Sequence, residues 1–213
     1  MTTSPSPLTW VITGASKGLG RALAEAALAA GDHVVAAVRN PDSVAELSAT
    51  YGDRFAAVAL DVRDVSGAAG LIQAAVDRYG RLDVLVNNAG RAIVGAAEEV
   101  TDAQLRDLMD LHLFGPAALV RAALPVMRAQ RSGTIVQMSS QGGRMSFPGV
   151  STYSASKFAL EGWSEAVAGE VGVRKGITLL RDEVSRNMAM LGVSHIADTR
   201  TARLMATPAE GQN

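Results

Sequence analysis

A chain of 213 residues, 48% of them hydrophobic, is long enough to bury one sizeable core. Its formal net charge is −1, so nothing points to nucleic acid or to an anionic membrane surface as a partner. It has no cysteine, which excludes disulfides, thiol catalysis and cysteine-ligated zinc, and points to a reducing compartment, the cytoplasm. Residues 1–7 read as a short flexible Ser/Thr/Pro tail without the basic start and apolar block of a signal peptide, and no apolar run approaches a membrane span.

The first strand is expected over 8–13, followed directly by Gly14-Ala15-Ser16-Lys17-Gly18-Leu19-Gly20 and an Ala/Leu-rich helix over 21–30 that stops at Gly31. Strand, glycine turn and helix together bring backbone N–H groups and the positive end of a helix toward a phosphate. A second strand over 33–38 ends at Arg39, and a helix over 41–51 opens on Pro41. A third strand over 55–60 ends at Asp61, and 65–79 is helical. A fourth strand over 82–86 is closed by Asn87-Asn88-Ala89-Gly90. Thr101 with Gln104 forms a capping box for a helix to about Leu113; another helix covers 116–131, and a fifth strand covers 133–139. Strands alternating with helices of this length predict an α/β fold, a Rossmann-like doubly wound parallel sheet. Right-handed crossovers then set the glycine turn, Asp61, Asn87 and Ser140 along one edge, at the carboxyl ends of the strands.

Tyr153 and Lys157 lie four residues apart in a segment expected to be helical to about Arg174, so both face one side, one turn apart. A phenol is a weak acid near neutrality, and a fixed ammonium beside it favours the phenolate and makes proton transfer useful. Ser140, at the end of the fifth strand, brings a hydroxyl to the same place.

Thr13 to Gly20, Asp61-Val62, Asn87-Asn88-Ala89-Gly90, Ser140 and Tyr153-xxx-Lys157 follow one another at the spacing of the short-chain dehydrogenase/reductase family, which the chain resembles over about 8–175. The resemblance implies cofactor contacts at Gly14, Ser16, Lys17, Gly18, Leu19 and Gly20, an adenine contact at Asp61 and Val62, and a ribose lining at Asn88, Ala89 and Gly90. It further implies that Lys157 holds the nicotinamide ribose and tunes Tyr153, that Tyr153 exchanges a proton with the substrate oxygen, and that Ser140 polarises that oxygen. Arg39 stands where an acid would select NAD, and with Lys17 it suits a 2′-phosphate, so NADP(H) is expected over NAD(H). The expected substrate is a small, fairly apolar alcohol, ketone or aldehyde, and the family implies a homodimer or homotetramer.

The chain departs from the family in two places. His112 occupies the slot of an Asn that holds a relay water behind the lysine; its imidazole either takes that catalytic role or is satisfied structurally by the backbone. After the catalytic helix, 176–213 reads as an atypical tail that truncates the family's domain. Ile177, Leu180, Val184, Met188 and Leu191 form a helical stripe, so a helix is expected over 177–191. Residues 172–207 resemble the end of FMN-dependent α-hydroxy-acid oxidases and dehydrogenases, on Gly176-Ile177-Thr178-Leu179-Leu180-Arg181-Asp182-Glu183 and Met188-Ala189-Met190-Leu191-Gly192; no flavin site follows from it. Besides the enzyme, two other readings fit these residues: a cofactor-binding protein with little catalysis, and an interaction module built on the helices at 116–131 and 153–174.

Overall fold

In the computed structural model, residues 6–171 and the backbone of 177–180 are described. Strands β1 (Thr9–Thr13), β2 (His33–Val38), β3 (Phe55–Ala59), β4 (Val84–Asn87), β5 (Thr134–Met138) and β6 (Ile177–Leu180) form one parallel sheet in the order 3-2-1-4-5-6. Between them run helices α1 (Gly18–Ala29), α2 (Ala45–Tyr51), α3 (Ala68–Tyr79), α4 (Asp102–Met109), α5 (Gly115–Gln130) and α6 (Ser151–Glu170).

The apolar strands carry no polar alternation because both faces are covered. Neighbouring residues of one strand enter opposite clusters. Val11, Val35, Leu85 and Ile135 pack with Leu71, Leu119 and Val167 of α3, α5 and α6. Ile12, Val34, Val84 and Val86 pack with Ala24, Leu28 and Leu47 of α1 and α2. Full burial of one such Val or Leu side chain contributes about 1.5–3 kcal/mol. Strand order reverses beside β1, between β2 and β4, so the loops leaving β1 and β4 diverge and open a crevice at their carboxyl ends.

The elements differ from the sequence expectations chiefly in three places. The segment 41–51 is a 3-10 turn (Pro41–Val44) running into α2, with Asn40 capping the turn through its side chain. The two helices expected to either side of 114–115 are one rod from Asp102 to Gln130, opened by the expected capping box. A wide π turn at Asp110–Phe114 joins its halves, just before Pro116, whose ring cannot donate the next helical bond. The helix expected over 177–191 is corrected in its first four residues: these form β6, paired in register with β5 from Ile135↔Ile177 to Met138↔Leu180. The apolar stripe fitted both periods, and the open backbone edge of β5 favours the strand. Residues 181–191 lie outside the described residues, as do 172–174 beyond α6.

Candidate active site

The crevice is a cleft of about 520 Å³. Its wall includes Gly14, Ser16, Lys17, Gly18, Leu19 and Gly20 from the first turn, Arg39 after β2, Asp61 and Val62 after β3, and Asn88, Ala89 and Gly90 after β4. The twelve sequence-predicted cofactor residues that precede α4 therefore surround one cavity.

The glycine turn fits an anionic ligand on its own geometry. Gly14 (φ +67°) and Gly18 (φ +57°) hold left-handed backbone. A Cβ on Gly20 would overlap Asn88 Nδ2 and stand 2.5 Å from the Gly14 carbonyl oxygen, whereas a Cβ on Gly18 would meet nothing within 4 Å and project into open space. Lys17, at the cap of α1, offers the helix no side-chain hydrogen bond, and the first turn carries no acid. Its leading N–H groups and the helix dipole are left for a phosphate. Asn88 braces the turn: its amide donates to the carbonyl oxygens of Thr13 (2.9 Å) and Gly14 (3.2 Å), while Thr13 Oγ1 accepts from the backbone of Asn88 and Ala89.

Ser140, Tyr153 and Lys157 do not line that cleft; they lie beyond it, where the turn after β5 packs on α6, a Cβ on Gly142 standing 3.0 Å from Tyr153 Cε1. Ser140 Oγ accepts from Gly142 N (3.1 Å), which leaves its own O–H proton uncommitted among the described residues. Lys157 is buried and donates to the Met138 carbonyl (2.7 Å), with its Nζ 6.0 Å from the centre of the Tyr153 ring. Burial pulls the lysine down from 10.5 to about 8. The Tyr153 hydroxyl has no protein partner among the described residues.

His112 stands between the two regions, 1% exposed. Its ring meets that of Tyr153 edge-on, at 5.6 Å and 86°. Nδ1 lies 2.8 Å from Ser156 Oγ, and Nε2 accepts from Arg91 N (3.3 Å). Both ring nitrogens thus have protein partners, and the imidazole's burial, with the Lys157 charge beside it, pushes it down to about 3.

Sequence reasoning missed Ser156, although it lies inside the Tyr153–Lys157 spacing, and missed an ion network at the mouth of the cleft. Arg63 donates to both oxygens of Asp61 and also reaches Asp107 on α4; Asp107 in turn takes Arg91. The Arg63 guanidinium holds the Asp61 carboxyl down at about 2. An arginine two residues after the acid was the one local signal for this pairing. Among the described residues no helix is long and apolar enough to cross a membrane.

Comparison with known proteins agrees with this fold. Residues 9–181 match the family model described as short chain dehydrogenase. A curated relative, the oxidoreductase BOA17 of Botryotinia fuckeliana, is 41% identical over 163 residues, covering 76% of this chain and 60% of its own. This chain therefore spans well under two thirds of that relative's length. A crystal structure of a short-chain dehydrogenase from Streptomyces avermitilis superposes with a TM-score of 0.79 at 50% identity, over 83% of this chain and 65% of that one. Two further solved structures, each 29% identical, carry cofactors: a metagenomic short-chain oxidoreductase in complex with NADP (TM-score 0.74; 81% of this chain, 80% of that one) and an enzyme from Burkholderia phymatum in complex with NAD (TM-score 0.77; 82% and 64%). The resemblance of the tail to FMN-dependent oxidases is not supported; the dehydrogenase model itself runs through the Ile177–Leu180 strand.

Proposed function

The chain belongs to the short-chain dehydrogenase family, and on that premise we propose that it is an oxidoreductase moving hydride between NADP(H) and a small apolar alcohol, ketone or aldehyde. The observation that carries the proposal is the convergence of Ser140, Tyr153 and Lys157 beyond the same sheet edge as a phosphate-fitting glycine turn. NADP(H), when bound, supplies or takes up the hydride. The glycine turn and the start of α1 hold its pyrophosphate, Asp61 and Val62 its adenine, and residues 88–90 its ribose. Lys17 and Arg39, both on the cleft wall, pair with the 2′-phosphate. Ser140 donates its free O–H to the substrate oxygen, and Tyr153 gives a proton to that oxygen in reduction or takes it in oxidation. The Lys157 ammonium favours the phenolate of Tyr153 and has two protons left for ribose hydroxyls after its bond to Met138. His112 holds this arrangement from behind. Met145 and Phe147, about half-exposed on the loop after Ser140, give the substrate side its apolar character.

We assign the chain to the cytoplasm and to a homodimer or homotetramer through α5 and α6, where exposed Phe158 on α6 and Phe114, at the end of the π turn that leads into α5, favour apolar contact. The test of function uses Trp10 and Trp163 as reporters. NADPH should quench their fluorescence more tightly than NADH, and its absorbance should fall when apolar ketones or aldehydes are added. Tighter NADH binding overturns the cofactor assignment; tight NADPH binding without turnover on any carbonyl overturns the activity.

A further inference from the structure

Among the described residues the buried ammonium of Lys157 makes one hydrogen bond, to the neutral carbonyl of Met138, and no carboxylate lies within ion-pair distance of it. A cation in that setting needs a counter-charge nearby to remain charged. One turn further along α6, on the same face, is Glu161, whose side chain is only 12% exposed. Its carboxylate is 3.9 Å from the Arg144 guanidinium, which belongs to the turn that follows Ser140. Its stem closes on the same turn: a Cβ built on Gly143 would stand 3.1 Å from Glu161 Cγ, 3.1 Å from the Lys157 carbonyl oxygen and 2.8 Å from Ser139 Oγ.

We propose that Glu161 is a positioning residue for the Ser140, Tyr153 and Lys157 arrangement: its partly buried carboxylate holds the 141–144 turn against α6 and supplies the negative charge that keeps Lys157 an ammonium. The inference rests on the hydride-transfer reading of that trio. Burial acts downward on Lys157, and Glu161 is the charge that acts against it. The other charged and titratable groups around the lysine are Tyr153 on its own helix, His112 from the π turn with Asp107 behind it on α4, Arg91 after β4, and Arg144 after β5. None of these others is a carboxylate lying on the lysine's own helical face. Arg144 draws on the same carboxylate, so it sets how much of that negative charge reaches Lys157.

The chain has three lysines, Lys17, Lys157 and Lys175, so the full chain labelled with ¹³Cε-lysine can be titrated by NMR, with Lys157 identified by its loss in Lys157→Arg. Glu161→Gln keeps the stem and removes the charge; it should lower the Lys157 midpoint by about one pH unit. From a midpoint of about 8, that change reduces the ammonium fraction at pH 8 about five-fold, and the alkaline limb of kcat/KM with NADPH and a ketone should move by the same amount. Glu161→Asp should restore part of the shift. Arg144→Met, at an exposed position, should move the midpoint upward by freeing the carboxylate. An unmoved Lys157 midpoint in either Glu161→Gln or Arg144→Met overturns the proposal. A parent chain that never turns over sinks the hydride-transfer reading instead, and the lysine titration still decides the role of Glu161.

Discussion

His112 donates from Nδ1 to Ser156 Oγ at 2.8 Å, because the serine's single proton is already given to the Tyr153 carbonyl at 2.7 Å. The opposite ring nitrogen accepts from Arg91 N, so the imidazole is the neutral Nδ1–H tautomer. One side chain thereby ties the loop after β4, which lines the cleft, to the helix that carries Tyr153 and Lys157. A histidine held neutral, with its folded value moved from 6.5 to about 3, binds fewer protons than in the unfolded chain between those limits. Its contribution to stability is therefore complete above pH 6.5 and declines as pH falls toward 3. Urea denaturation of the parent and of His112→Asn should show the parent ahead by about 1–2 kcal/mol at pH 7, the worth of one well-made buried hydrogen bond. At pH 5 that lead should vanish, since the histidine has by then lost about 2 kcal/mol. A lead that stays constant from pH 7 to pH 5 would mean that His112 is not held neutral.

The glycine turn contains two different constraints, and two alanine substitutions separate them. Gly18→Ala meets only the left-handed backbone penalty, since its Cβ would enter open space; it should fold and cost about 1 kcal/mol. Gly20→Ala drives a methyl into Asn88 and the Gly14 carbonyl and breaks the brace between the first and fourth strand loops. It should cost about 3 kcal/mol or more in urea unfolding. Equal costs at the two positions would refute this distinction.

Much of this arrangement was readable in the residues before any coordinates. Glycine, aspartate and asparagine at strand ends leave a local mark, because each answers a backbone need that recurs wherever a parallel strand turns into a helix. The strand β2 was placed to the residue, and the cleft residues before α4 sit where strand order alone would put them. What stayed hidden depends on contacts between distant segments. The Arg63–Asp107 pair spans 44 residues, as does His112–Ser156, and neither leaves a periodic trace. Gly115-Pro116 reads locally as a helix break, and the π turn at Asp110–Phe114 that carries the chain through it leaves no pattern of its own. The strand at Ile177–Leu180 took its form from the open edge of β5 rather than from its own apolar stripe.

At the mouth of the cleft, Arg63 is the main reason that the Asp61 carboxyl lies near 2 instead of 3.8. Arg63→Ala should return the Asp61 midpoint toward 3.8, measured by carboxyl NMR. An acid with a lowered folded value stabilises above its unfolded value of 3.8 and loses that contribution as pH falls toward 2. The pair is about one third exposed, so solvent screening limits the loss at neutral pH to less than about 1 kcal/mol. An Asp61 midpoint that stays near 2 in the variant would assign the effect to Arg39 or to the backbone instead.

Lys157 should make the folded chain less stable for the sake of the chemistry proposed for it. Its value falls from 10.5 to about 8 on burial, a gap of about 2.5 pH units. Between those limits the unfolded chain binds the extra proton, so folding bears a cost that is complete below about pH 8 and relieved as pH rises toward 10.5. At 1.36 kcal/mol per unit this cost is about 3 kcal/mol, and the 2.7 Å hydrogen bond to Met138 offsets about 1 kcal/mol of it. Lys157→Met keeps an unbranched stem of similar reach and removes the charge. At pH 7 it should be more stable than the parent by about 2 kcal/mol in urea unfolding, while hydride transfer from NADPH is lost. The advantage should shrink through pH 8–10 and be gone above pH 10.5, where the parent's lysine becomes neutral in the folded and the unfolded chain alike. A variant less stable than the parent at pH 7 would show that the ammonium is bound more strongly by its surroundings than burial penalises it, and the tuning of Tyr153 would need another source.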